Sequence, residues 1–251
     1  MKMNYLYKAH RHIFSARAGH GCSHKNIAEL TNIRLCGMMR MAFANLLLVL
    51  LLTNAWVAHA QTTKKPEIGD ILCTDGTFVA PHQWSAATSK TAKAVVFYVN
   101  SKNPTRGLAV ALKDLGRYQW STNVKVDVAA LPNKMRDDLS GRANTKALRA
   151  MPAADYPAAH AISAADWAAG WYVPSAGELR LLYAQYSRVV AALGYIETRN
   201  SGTTSVLNDV YWSSTENGTS SAMIVTHYDR AYAGPYIKTY SWWVRPVLAF
   251  Y

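Results

Sequence analysis

The chain has 251 residues, half of them hydrophobic, with 27 Lys and Arg against 15 Asp and Glu and a formal net charge of +12. That length holds one large domain or two small ones, and the apolar share excludes disorder throughout. The basic residues form no run interleaved with aromatics, which argues against a nucleic-acid groove.

Residues 1–37 carry His10, His12, His20 and His24 without apolar periodicity and read as an over-long start or disordered leader. Residues 38–60 then supply a short basic region, the apolar run Leu46 to Leu52 and the small-x-small end Ala58-His59-Ala60. That order predicts a secretory signal peptide cleaved before Gln61, with no membrane span left afterwards. An uncleaved anchor is the competing reading, disfavoured by the short run and the polar stretch Gln61 to Lys65. Seven of the 27 basic residues and one of the 15 acidic ones precede Gln61, so cleavage leaves 20 against 14, a net +6. Of three cysteines only Cys73 follows the cleavage site, which rules out an internal disulfide in the mature chain. Its place in Ile71-Leu72-Cys73 predicts burial.

Residues 61–67 read as a short exposed leader, and 68–251 as one domain. Ile68 to Cys73 and the Asp75-Gly76 turn predict a hairpin; Ala94 to Val99 and Leu108 to Leu112 predict paired strands. Residues 121–155 are mixed, with short helical possibilities around Asn144 to Ala150 and no assignment. Pro157 suits the first position of an Ala-rich helix. Ser175-Ala176-Gly177-Glu178 is a capping-box pattern, opening a helix whose Leu179, Leu182, Tyr183, Tyr186, Val189, Val190 and Leu193 share one face, with Gly194 placed to end it. Strands follow at Val210 to Ser214, Ala222 to Tyr228 and Trp243 to Phe250. Strands, two helices and strands again predict an α+β class.

The chemistry-bearing residues point away from catalysis and from metals or cofactors. His82, His160 and His227 lack a partner at metal-ligand spacing, and no nucleophile elbow or phosphate loop occurs. Ser213 and Ser214 at a strand end are expected to bond backbone. Asp209, Glu216, Asp229 and Glu178 could furnish a hydrolytic carboxylate pair, a third-ranked reading. Trp171, Trp212 and Trp243 read as core anchors. Arg245, inside an apolar strand, needs a buried partner, for which Glu178 or Glu216 would serve.

Asn217 to Ser241 has a different palette. Asn217, Thr219, Ser220, Thr226, Tyr228, Asp229, Tyr232, Tyr236, Thr239 and Tyr240 combine aromatic area with adaptable hydrogen bonding, as binding loops do. These ten are the candidate ligand-binding residues.

The segment Gly170 to Leu179, Tyr211-Trp212-Ser213-Ser214-Thr215-Glu216 and Val244-Arg245-Pro246-Val247-Leu248-Ala249-Phe250 together resemble a bacterial exported-domain family, the fibrobacter-succinogenes-major-paralogue type, over roughly Ile68 to Tyr251. The resemblance implies a C-type-lectin-like fold with paired terminal strands, Ile68 to Cys73 lying near Val244 to Phe250. Some members are similar to the variable proteins of diversity-generating retroelements, which implies that Asn217 to Ser241 is rewritten between copies around fixed Met223 and Lys238. It further implies an adhesive or receptor-binding role toward a protein or glycan ligand on another cell or surface, with a pilus or cell-envelope partner in some relatives. A structural pilus subunit or a fixed-specificity carbohydrate binder is the alternative. The sequence lacks the Glu-Pro-Asn, Gln-Pro-Asp and Trp-Asn-Asp elements of calcium-dependent lectins, and Cys73 alone cannot supply the cysteine pair of formylglycine-generating enzymes.

Overall fold

The structure, a computed structural model, describes residues 64–85, 89–122, 136–208 and 210–251, with the side chains of Asp229 and Arg230 left out. The segments read as an over-long start and a signal peptide, residues 61–63, residues 123–135 of the mixed stretch and Asp209 therefore lie outside the described residues.

Adjacent apolar runs pair first. Ile71–Cys73 (β1) and Phe78–Val79 (β2) form the hairpin expected at Asp75-Gly76, where Gly76 takes φ +81, a conformation that side chains rarely adopt. Ala92–Val99 (β3) pairs antiparallel with Gly107–Ala111 (β4), and Asn100 accepts the amides of Lys102 and Asn103 in the connecting loop. Gly116–Gln119 (β5), Trp171–Tyr172 (β6), Val210–Glu216 (β7), Ser221–Thr226 (β8), Ala233–Ile237 (β9), Ser241–Val244 (β10) and Val247–Phe250 (β11) complete the strands. They form two sheets, β2-β1-β3-β4-β11-β6 and β5-β10-β7-β8-β9, antiparallel throughout except for β10 against β7. The class is α+β.

The expected pairing of the terminal strands is corrected. β1 and β11 share a sheet, but β3 and β4 stand between them. β1 instead takes the nearby β2 and β3, whose pairing closes only short loops, and both edges of β11 are already occupied by β4 and β6. The two ends still meet through side chains, Phe78 and Phe250 lying edge to face at 5.1 Å over the small Ala94 and Ala109.

Six α-helices, not two, are present among the described residues, besides a 3-10 turn at Pro81–Gln83: Gly141–Arg149 (α1), Pro157–His160 (α2), Ala164–Ala168 (α3), Ala176–Ala184 (α4), Tyr186–Arg199 (α5) and Tyr228–Ala231 (α6). The capping box of α4 is formed as its pattern predicts. Ser175 Oγ accepts the Glu178 amide at 3.4 Å and Glu178 Oε2 accepts the Ser175 amide at 2.8 Å. Gly177 is required beside them, because a Cβ there would come within 2.5 Å of the Asp138 carbonyl oxygen. The predicted single helix breaks at Gln185 and its second part runs through Gly194, which faces open space, because Ile196 continues the buried face. Pro157 opens α2 at its first turn, but Ser163 interrupts the Ala-rich run and caps α3.

One core lies between the first sheet and α4 with α5, from Ile71, Val95, Phe97 and Val110 to Leu179, Leu182, Val189 and Ile196. The opposite face of the same sheet buries Leu72, Val96 and Leu248. Burial on both faces explains why β3 reads as a continuous apolar run rather than an alternation. A further core surrounds Trp120, Tyr156, Trp212 and Val244. Trp212 is fully buried, whereas Trp171 and Trp243 are half-buried at core margins. Cys73 is buried, which pushes its thiol pKa up and keeps it unreactive.

The closing segment is two strands, not one. β10 belongs to the second sheet and β11 to the first, with Arg245-Pro246 at the crossing. Arg245 is buried as expected, but its carboxylate is Asp114 at 3.3 Å, not Glu178 or Glu216. Its fork also donates to the carbonyls of Ala111 (2.9 Å), Leu112 (2.7 Å) and Val206 (3.0 Å). These lie on the chain leaving β4 and approaching β7, so one guanidinium fastens the junction of the sheets. Glu178 is committed to its cap, and Glu216 to Lys238.

In the segment read as an exposed leader, Lys65 and Glu67 are exposed, Pro66 is buried, and Lys64 pairs with Asp70 at 2.5 Å. No helix among the described residues is long and apolar enough to cross a membrane.

Candidate functional site

The candidate residues are strung along one hairpin. β8 and β9 pair from Ser221 opposite Ile237 to Val225 opposite Ala233, and β9 is the outer strand of its sheet. At about 3.4 Å per residue, the two ends of that register stand about 14 Å apart. The ten residues accordingly divide into two groups instead of forming one face.

At one end lie Asn217, Thr219, Ser220, Tyr236, Thr239 and Tyr240. Asn217 Nδ2 donates to Ser221 Oγ at 3.3 Å, and Thr219 and Ser220 are exposed in the β7–β8 turn. Tyr236 is held edge-on between Tyr240, with centroids 5.0 Å apart, and Trp242 at 5.4 Å. Tyr236 is half-buried and packs on the Trp120 core, while Tyr240 stays 51 % exposed. A cleft of about 440 Å³ opens between Ser221, Pro235, Tyr236, Ile237 and Tyr240.

This end has a rigid base. Lys238 and Glu216 are fully buried beneath it, Nζ lying 2.5 Å from Oε1 and 4.8 Å from the Trp120 ring centroid. The Lys238 amide donates to Ser220 O at 3.1 Å, its carbonyl accepts the Trp120 amide at 2.9 Å, and Gln119 Nε2 donates to Thr239 O at 2.7 Å. Both turns are thereby tied to the same buried pair.

At the other end lie Thr226, Tyr228 and Tyr232, with the Asp229 side chain outside the described residues. Thr226 Oγ1 donates to the Tyr228 carbonyl at 3.0 Å, and the Thr226 amide to Tyr232 O at 2.9 Å. Tyr228 is 63 % and Tyr232 45 % exposed; the Tyr232 ring lies so close over Gly234 that a Cβ there would overlap it. Beside them His227 stacks on Tyr186 at 3.8 Å, and a second cleft of about 320 Å³ is lined by Arg180, Tyr183, Ala184, His227 and Ala231. Ala231 holds φ +62, a strained conformation for a residue with a Cβ.

The fold of the described residues is shared. The chain is similar to a fimbrial protein from Bacteroides ovatus, with TM-score 0.53 and 18 % identity over 74 % of this chain and 49 % of that one. It therefore spans about half the length of that protein. No protein-family model matches the sequence, and no curated protein does.

Several residues around the clefts were not among the candidates. Tyr183 and Tyr186 belong by spacing to the apolar helix stripe, and only the structure places their rings against His227. Ile237 and Pro235 sit within the segment but carry no polar signal; their exposure follows from strand alternation on an edge. The hydroxyl cluster at Ser213 and Ser214 bonds backbone, Ser213 Oγ donating to Met223 O at 2.7 Å. Among the described residues no group of His, Cys, Asp and Glu could hold a metal ion.

Proposed function

We propose that this chain is an exported surface protein that binds a partner through the tyrosine-bearing end of its second sheet, in a C-type-lectin-like architecture. The observation that carries the reading is the exposed Tyr240 seated on a fully buried Lys238–Glu216 base, a rigid support for an amphipathic ring. The fold likeness to a fimbrial protein supports a surface location. Burial of Met223 and Lys238 is compatible with a scaffold kept constant beneath residues rewritten between copies, as in the variable proteins. The partner is a protein or glycan on another cell or surface.

The test is binding of the labelled mature protein to intact cells of co-resident species. Tyr240→Ala and Tyr228→Ala should each lower cell binding at unchanged melting temperature. Undiminished binding by both would refute the reading. Sister copies differing at Thr219, Ser220, Tyr236 and Tyr240 but not at Met223 or Lys238 would establish the variable-protein part.

The fimbrial fold likeness also favours a second reading, a structural pilus subunit. Recovery of the chain in sheared surface filaments, with Tyr240→Ala incorporated normally, would select it.

A further inference from the structure

We infer that the cleft at Ser221, Pro235, Tyr236, Ile237 and Tyr240 takes a neutral carbohydrate, stacked on the Tyr240 ring and held without a metal ion. The inference rests on the surface-binding reading and names the chemical class of its ligand.

The first argument concerns the edge. An outer strand normally offers its outward amides and carbonyls to an added peptide strand. In β9 the Tyr232 carbonyl bonds Thr226 and the Lys238 amide bonds Ser220, so the even-numbered residues face β8 and Ala233, Pro235 and Ile237 face outward. Pro235 has no amide hydrogen, and the Ile237 carbonyl already accepts the Tyr240 amide at 3.1 Å. The outward ladder is interrupted at both positions along the cleft, which disfavours an extended peptide. A ligand here must be held by side chains.

The second argument concerns charge. The lining offers the hydroxyls of Tyr236 and Tyr240 with the apolar surface of Pro235 and Ile237, and no carboxylate or ammonium, while the Ser221 hydroxyl is engaged with Asn217 at 3.3 Å. Two cations of the adjoining elements are engaged elsewhere: Lys238 points inward to Glu216, and Arg117 stacks on Trp242 at 5.7 Å while donating to Ser241 O at 2.9 Å. A phosphate, sulfate or carboxylate would lose its hydration without gaining a counter-charge. A neutral ligand with hydroxyls and C–H faces matches every lining group.

The third argument concerns shape. Tyr236 and Trp242 fix Tyr240 through a chain of edge-to-face contacts, so its open face is presented at little entropic cost. The electron-rich face of such a ring receives the slightly positive C–H face of a pyranose. The cleft volume of about 440 Å³ falls within the range typical of small-ligand sites.

The experiment presents the mature protein to a printed array of neutral, sulfated and sialylated glycans with EDTA present, followed by calorimetry with the strongest neutral oligosaccharide. Capture of neutral glycans is expected, with Tyr240→Ala weakening binding at least tenfold and Tyr240→Phe within about threefold of the parent. If Tyr240→Ala fails to fold, quenching of Trp242 emission by the sugar in the parent, absent in Trp242→Phe, gives the same answer. Capture of charged glycans alone, loss of binding in EDTA, or equal affinity in Tyr240→Ala would overturn the inference. A protein that binds cells through Tyr240 yet captures no neutral glycan would refute the carbohydrate assignment while leaving the surface-binding reading in place. Absence of cell binding as well would remove both.

Discussion

Lys238→Met isolates the buried pair on which the first tyrosine group rests. Nζ and Oε1 are 2.5 Å apart with neither side chain exposed, so the mutation leaves the Glu216 carboxylate in a site selected for its ion pair. With an effective dielectric of 20, the direct attraction at that distance is about 7 kcal/mol, set against a desolvation cost of several kcal/mol per ion. The net loss on breaking such a pair is about 3–5 kcal/mol, and the cation–π contact with Trp120 adds about 1 kcal/mol. In a domain of this size each kcal/mol moves the melting temperature by about 2–4 °C, so a fall of about 8–24 °C is expected. Urea denaturation measures it directly. The double variant Lys238→Met with Glu216→Leu removes both charges and should recover most of the loss, a coupling of at least about 2 kcal/mol. A single variant costing under about 1 kcal/mol, or a double variant no better than the sum of its parts, would refute the reasoning.

Other substitutions separate packing from display. Tyr236→Ala should cost about 2 kcal/mol by urea denaturation because that ring packs on the Trp120 core, whereas Tyr240→Ala should cost less than about 0.5 kcal/mol. Arg245→Lys keeps the charge facing Asp114 but loses the fork that holds the Ala111, Leu112 and Val206 carbonyls, and should cost about 2–4 kcal/mol. Burial pushes the Glu178 carboxyl up to about 7, above its ordinary value of 4.5. A raised folded-state value means that the native state binds the extra proton, so the contribution is present below the unfolded value and is lost as pH rises through 7. Stability should fall by about 3 kcal/mol between pH 5 and pH 8, and urea midpoints of Glu178→Gln should show a flatter profile.

Local chemistry was legible where its cause lies within a few residues. The capping box at Ser175, the Asp75-Gly76 turn and the burial of Cys73 each follow from a short motif, and each is present. What failed depends on distant partners. Nothing near Arg245 shows that Asp114, 131 positions earlier, is its carboxylate. Nor does an apolar run from Trp243 to Phe250 show that Pro246 hands the chain from one sheet to the other, since each half pairs with strands far away in sequence.

The candidate segment stands out by composition, but the placement of its residues does not follow from composition. A stretch rich in Tyr, Thr and Ser reads as one surface, yet an antiparallel hairpin places its turn residues at opposite ends. Tyr228 therefore lies against His227, which stacks on Tyr186, and Tyr240 against Tyr236, which meets Trp242. The two groups also differ in support. The Tyr240 turn is bolted to a buried ion pair, whereas the Tyr228 turn hangs from a strained Ala231. Ala231→Gly relieves the Cβ clash, worth about 1–2 kcal/mol, at a cost of about 0.5–1 kcal/mol in unfolded-chain entropy, so it should leave stability equal or slightly raised. If the carbohydrate is held only at the rigid end, that variant should leave glycan affinity within about twofold while changing any contact made through Tyr228. A large drop in glycan affinity would instead place the ligand across both ends of the hairpin.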